Sequence, residues 1–123
     1  PPAPKLASET ERTVLYFSFD SDRLGDSAQS ALRQVVRGLP GIQQSRVAIN
    51  GHADRAGTEQ YNMNLSERRA KFVYKVMEKL GVPAKRMQYF AFGESDPAVP
   101  TADGVEEPKN RRVEVVIEPS PRR

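Results

Sequence analysis

A chain of 123 residues with a net charge of +3 and charges of both signs makes one globular domain, not a disordered segment. The absence of cysteine excludes disulfides, a single histidine argues against a zinc site, and no apolar run reaches the roughly 20 residues of a membrane-spanning helix. Adjacent arginines occur only at Arg68-Arg69, Arg111-Arg112 and Arg122-Arg123, which is too thin for a nucleic-acid stripe.

Residues 1–12 hold three prolines and no periodicity, so they read as a linker. Thr13 to Phe19 alternates, with Leu15, Phe17 and Phe19 on one side, and predicts a strand. Asp26-Ser27-Ala28-Gln29 has capping-box spacing with Asp26 as the cap. Ala28, Leu32, Val35, Val36 and Leu39 follow at helical spacing, up to Gly38-Leu39-Pro40-Gly41. Arg46 to Ala53 predicts a second strand with Val47, Ile49 and Gly51 on one face.

A long helix follows. Thr58 to Leu80 contains no Gly or Pro, Thr58 suits the N-cap, and Gly81 and Pro83 end the pattern. Arg86 to Phe92 predicts a third strand and Arg111 to Glu118 a fourth, joined by the polar, Pro-rich stretch from Gly93 to Asn110. Residues 119–123 read as a loose tail, and the domain as 13–118. The order β-α-β-α-β-β predicts an α+β two-layer sandwich with a mixed four-stranded sheet and both helices on one face. Helical crossovers predict parallel pairing of the first strands, and the loop predicts antiparallel pairing of the last two.

The long helix breaks its own pattern at two positions. At about 100° per residue, with Tyr61 at zero, Leu65, Ala70, Phe72, Val73, Val76, Met77 and Leu80 fill one half-circle. Arg69, near 80°, and Asn62, near 100°, lie in the middle of that apolar arc, while Arg68 reads as rim and Tyr61, Leu65 and Phe72 as core. A charge over the core costs several kcal/mol unless paired. Asp54, on the loop that feeds the helix, is the nearest partner in sequence. An Asp54–Arg69 ion pair with no further role and a ligand pocket built on the same residues are both open readings.

Gly51-His52-Ala53-Asp54, Gly57, Tyr61-Asn62, Leu65-Ser66 and Arg69-Ala70 resemble the signature of OmpA-like peptidoglycan-binding domains. Phe17-Ser18-Phe19-Asp20-Ser21, Gly81-Val82-Pro83 with Arg86, Gly93-Glu94 with Pro97, and Asn110-Arg111-Arg112-Val113-Glu114 extend the resemblance over roughly residues 13–118. The family includes C-terminal domains of porin-like outer-membrane proteins, peptidoglycan-associated lipoproteins and flagellar stator anchors.

The resemblance implies a non-catalytic module that binds the meso-diaminopimelate of a peptidoglycan stem peptide and tethers a membrane component to the wall. Asp54 would take the ligand's ammonium, Arg69 its carboxylate, and Asn62 would bond the ligand or order the loop. Phe19, Asp20, Ala53, Arg55, Arg68, Asn110 and Arg111 are possible rim residues, with Arg111 read as pairing with acidic loops. Ala53 stands where the family often has Thr, and His52 reads as a structural strand-end residue. No cofactor, metal or nucleic-acid partner is implied. The localisation implied is periplasmic, with membrane attachment through other parts of a longer protein. The opening Pro1 and the lack of a signal peptide fit an excised or mature piece.

Three alternatives remain. One is the wall anchor of a motility stator or secretion system. Another is a cell-wall hydrolase, although Asp54 has no evident carboxylate mate in the sequence. The last is a single-stranded nucleic-acid binder using Phe17, Phe19, Phe90 and Phe92 on neighbouring strands.

Overall fold

The structure is a computed structural model that describes residues 10–39 and 41–118. Its elements are strand β1 (Glu11–Tyr16), helix α1 (Asp26–Gly38), strand β2 (Arg46–Gly51), helix α2 (Glu59–Lys79), strand β3 (Met87–Ala91) and strand β4 (Arg112–Glu118). Three short 3₁₀ turns, at Ile42–Gln44, Ala84–Arg86 and Pro108–Asn110, join them. The element order and the α+β sandwich are those expected. Most of the linker, residues 1–9, lies outside the described residues, as do Pro40 and the tail from 119 to 123. Glu11 and Arg12, assigned to the linker by composition, belong to β1.

The sheet order is β1-β4-β2-β3. β2 and β3 pair in parallel, as the helical crossover requires. The expected pairing of β3 with β4 is not formed, because β2 lies between them. β1 and β2 run parallel, yet β4 separates them and pairs antiparallel with both. Burial accounts for this placement. Val113, Val115 and Ile117 are buried on one face, and Arg112 is buried on the other, so β4 is the strand best suited to the centre.

The core lies between the sheet and the two helices. Leu15, Val47, Ile49, Val113, Val115 and Ile117 meet Leu32, Val36, Ala70, Val73 and Met77 there. α2 begins as read, with the Thr58 hydroxyl accepting from the Tyr61 N–H at 3.1 Å. α1 does not. Its cap is Gly25, with no side-chain cap bond, and Asp26 is the first helical residue. Gln29 instead donates from Nε2 to the Leu24 carbonyl at 2.9 Å, and Asp26 sits at the positive end of the helix dipole.

α2 crosses β2 at Gly51. A Cβ there would collide with the Ser66 carbonyl oxygen, so only glycine lets strand and helix approach this closely. Ser66 reinforces the crossing by accepting from the Gly93 N–H at 2.9 Å. This contact fixes the start of α2 against the ends of β2 and β3, where the candidate residues gather.

Candidate functional site

The site forms at the C-terminal ends of β2 and β3. β2 runs out into Asp54, the chain turns through Gly57 at φ +92, and α2 starts at once. Only glycine takes that turn without strain. The turn aims Asn62, Leu65 and Arg69, on successive turns of α2, at the loop that carries Asp54.

Arg69 is fully buried, and it does not pair directly with Asp54. Its Nε donates to the Ser21 carbonyl at 2.8 Å, Nη1 to His52 at 3.0 Å and Nη2 to Ser18 at 3.3 Å. Its guanidinium carbon lies 5.2 Å from the centre of the Phe17 ring. Three of five N–H donors are thus spent, and one on each terminal nitrogen is left. Burial lowers its pKa to about 10, with the Asp54 carboxylate opposing the shift, so the group stays charged at neutral pH. The expected ion pair is therefore corrected to long-range attraction, since backbone carbonyls hold the fork.

Asp54 has another partner. Its Oδ2 accepts from Arg111 Nη1 at 3.3 Å and from the Glu107 N–H at 3.1 Å, and its Oδ1 from the Ala56 N–H at 3.2 Å. Arg111 also donates from Nε to the Phe17 carbonyl at 3.2 Å and lies over the Phe19 ring. The pairing read for Arg111 holds, and its acid is Asp54.

Asp54, Asn62, Arg69, Phe19, Asp20 and Arg111 line one open depression of about 170 Å³. Ala56, Gly57, Tyr61 and Leu65 complete it, and none of these four was read as site. Tyr61 is exposed, a correction to its assignment as core, because the apolar arc of α2 runs past the edge of the sheet at that turn. Asp20 sits in the left-handed region at φ 58, a conformation that aspartate tolerates better than most residues.

Four rim candidates stand elsewhere. Ala53 is buried, and its N–H donates to the Gly93 carbonyl. Arg68 pairs with Asp22 at 3.2 Å on the surface. Arg55 pairs with Glu94 at 3.2 Å and donates to the Thr101 carbonyl at 3.0 Å. Asn110 is buried and exchanges two 2.8 Å bonds with the backbone of Val99. Arg55 and Asn110 fold the 93–110 loop back onto the site. Glu94 is the residue that sequence reasoning missed. It accepts from Asn62 Nδ2 at 2.9 Å and from Arg55, so Asn62 orders the loop. The Gly93-Glu94 pair was visible in the sequence and had no role assigned.

His52 is structural, as read. Its ring stacks on Phe92 at 5.1 Å, and among the described residues neither ring nitrogen has a partner. Desolvation, helped by Arg112, lowers its pKa to about 4. Phe17 is buried on the helix-facing side, beneath Arg69, so it cannot join Phe90 in a base-stacking platform on the other face.

A profile of the OmpA family matches residues 16–111. The peptidoglycan-associated lipoprotein of Pseudomonas aeruginosa is 38% identical over 103 residues, which cover 84% of this chain and 61% of that protein. The chain spans between 12% and 61% of the length of the curated relatives it matches. Among solved structures, the peptidoglycan-associated lipoprotein from Burkholderia pseudomallei superposes with a TM-score of 0.76 at 31% identity, covering 85% of this chain and 89% of that one. The C-terminal domain of Helicobacter pylori MotB gives 0.73 at 21% identity, with 86% and 84% covered, a likeness of fold alone.

Proposed function

The chain belongs to the OmpA family, and from that premise we propose that it binds peptidoglycan without catalysis, gripping the diaminopimelate of a stem peptide. The observation that carries this reading is the convergence of Asp54, Arg69 and Arg111 on one open depression. Diaminopimelate ends in an ammonium and a carboxylate on one carbon. Asp54 receives the ammonium. Arg111 meets the carboxylate, and Arg69, sealed beneath the floor, adds its positive charge.

Size supports the same reading. About 170 Å³ is well below the roughly 300–1,000 Å³ of a pocket that encloses a small molecule. The depression suits the end of a polymer branch. Asp20 adds a second carboxylate to the lining, which holds no Ser, Thr or Cys as a covalent nucleophile. Asp54 already accepts three hydrogen bonds from N–H donors and serves as an anchor.

The same premise gives the cellular role: a periplasmic module that tethers a larger envelope protein, of the outer membrane, to the wall. The identity to a peptidoglycan-associated lipoprotein favours this over the stator reading, for which the MotB likeness offers fold alone. The test is co-sedimentation with purified peptidoglycan. Asp54→Asn and Arg111→Gln each break a buried pair, so a lowered melting temperature is expected, and each is expected to leave the pellet at temperatures where its amide spectrum still shows the folded domain. Undiminished pelleting of both variants would overturn the assignment. Arg69 is a poor probe, because its loss disrupts three loop carbonyls at once.

A further inference from the structure

The sheet has a second charged end. Arg46 and Arg86 immediately precede Val47 and Met87, which are register partners in the parallel pair β2–β3. The two arginines therefore stand side by side at the N-terminal ends of these strands. The Asp54 site lies at the C-terminal ends, roughly 17 Å away along β2. Arg46, Lys85, Arg86 and Glu118 line a cleft of about 420 Å³ here.

No hydrogen bond or ion pair engages the side chains of these three cations among the described residues. Arg86 is half-buried, and its Nε is closed to solvent, so its terminal nitrogens are the ones an anion in the cleft would reach. Three cations against one carboxylate leave two positive charges unanswered. A phosphate monoester carries nearly that charge with the opposite sign at neutral pH.

We propose that this cleft is a phosphate-binding site formed by Arg46, Lys85 and Arg86. The forks of the two arginines take phosphate oxygens, Lys85 adds a point charge, and Glu118 faces the remainder of the ester, favouring one that offers a hydroxyl or ammonium. A soluble phosphate monoester presents three free oxygens to these groups, and the diester of a phospholipid headgroup presents two of them with a single negative charge. The inference does not depend on the wall-binding reading.

The experiment is amide NMR of the full chain at fixed ionic strength, first with inorganic phosphate and then with glycerol phosphate. Co-flotation with phosphatidylglycerol vesicles, against phosphatidylcholine vesicles, forms the second arm. Phosphate is expected to shift Val47, Arg86 and Met87 and to leave Gly57 and Asn62 in place. Arg46→Gln/Arg86→Gln is expected to weaken binding about tenfold or more, and Lys85→Gln, an exposed position, by several-fold. Wall co-sedimentation should be unchanged in both variants, which separates the two sites. Saturation by the esters alone identifies a soluble ligand, and capture by phosphatidylglycerol vesicles identifies a headgroup. Absence of both responses, or responses equal in wild type and variants, overturns the proposal.

Discussion

The two ends of the sheet hold charge in opposite ways. At the Gly51 end, Arg55, Arg69 and Arg111 each spend several N–H donors on fixed acceptors, most of them backbone carbonyls. At the Arg46 end, Arg46, Lys85 and Arg86 reach no acceptor among the described residues. The first end is ordered before a ligand arrives, so binding there loses little side-chain entropy. The second must order its side chains as it binds, and its attraction is more readily screened by salt. Cations are common to both ends. Burial and backbone acceptors make the difference.

The contrast can be broken most forcefully at Arg69. Arg69→Met strips the carbonyls of Ser18, Ser21 and His52 of their donor and is expected to cost roughly 4 kcal/mol in urea unfolding. Arg86→Gln at the other end should change stability by less than about 0.5 kcal/mol. Equal costs would erase the distinction between the ends. Gly51→Ala comes next, at roughly 3 kcal/mol, because the collision with Ser66 is with backbone and cannot be relieved by a rotamer.

A pH series sharpens the comparison further. His52 titrates near pH 4 when folded and near 6.5 when unfolded, so the unfolded chain binds the extra proton between these values. Stability due to this residue is therefore intact above pH 6.5, falls as the pH drops, and levels off below about 4. At pH 5 the loss is about 2 kcal/mol. His52→Phe, which keeps a ring against Phe92, should lack this part of the slope when denaturation midpoints at pH 7 and pH 5 are compared. A smaller effect at the Gly51 end is at Asn62. Asn62→Ala removes the bond to Glu94 and should cost about 1 kcal/mol while loosening the 93–110 loop, seen as faster amide exchange at Gly104.

Much of this architecture was legible in the sequence. α2 announced itself by a long stretch without Gly or Pro between Thr58 and Gly81, and Arg69 by its place in an apolar arc. The convergence of Asp54, Asn62 and Arg69 followed from one loop feeding one helix. What was hidden is long-range or backbone-borne. The Asp54–Arg111 bond spans 57 positions, and no local pattern encodes it. The acceptors of Arg69 are main-chain carbonyls, which any residue supplies, so side-chain identity could not point to them. The insertion of β4 between β1 and β2 depends on which strand best tolerates burial on both faces. That is a comparison among strands, and loop lengths do not reveal it.

The most direct test of the wall-binding account is amide NMR with a soluble stem tripeptide ending in meso-diaminopimelate, run beside its lysine-ended counterpart. The account predicts shifts at Ala56, Gly57 and Asn62 for the diaminopimelate peptide, weakened about tenfold or more by Asp54→Asn and by loss of the ligand's terminal carboxylate in the lysine form. Equal responses to both peptides, or equal responses in wild type and Asp54→Asn, would contradict it.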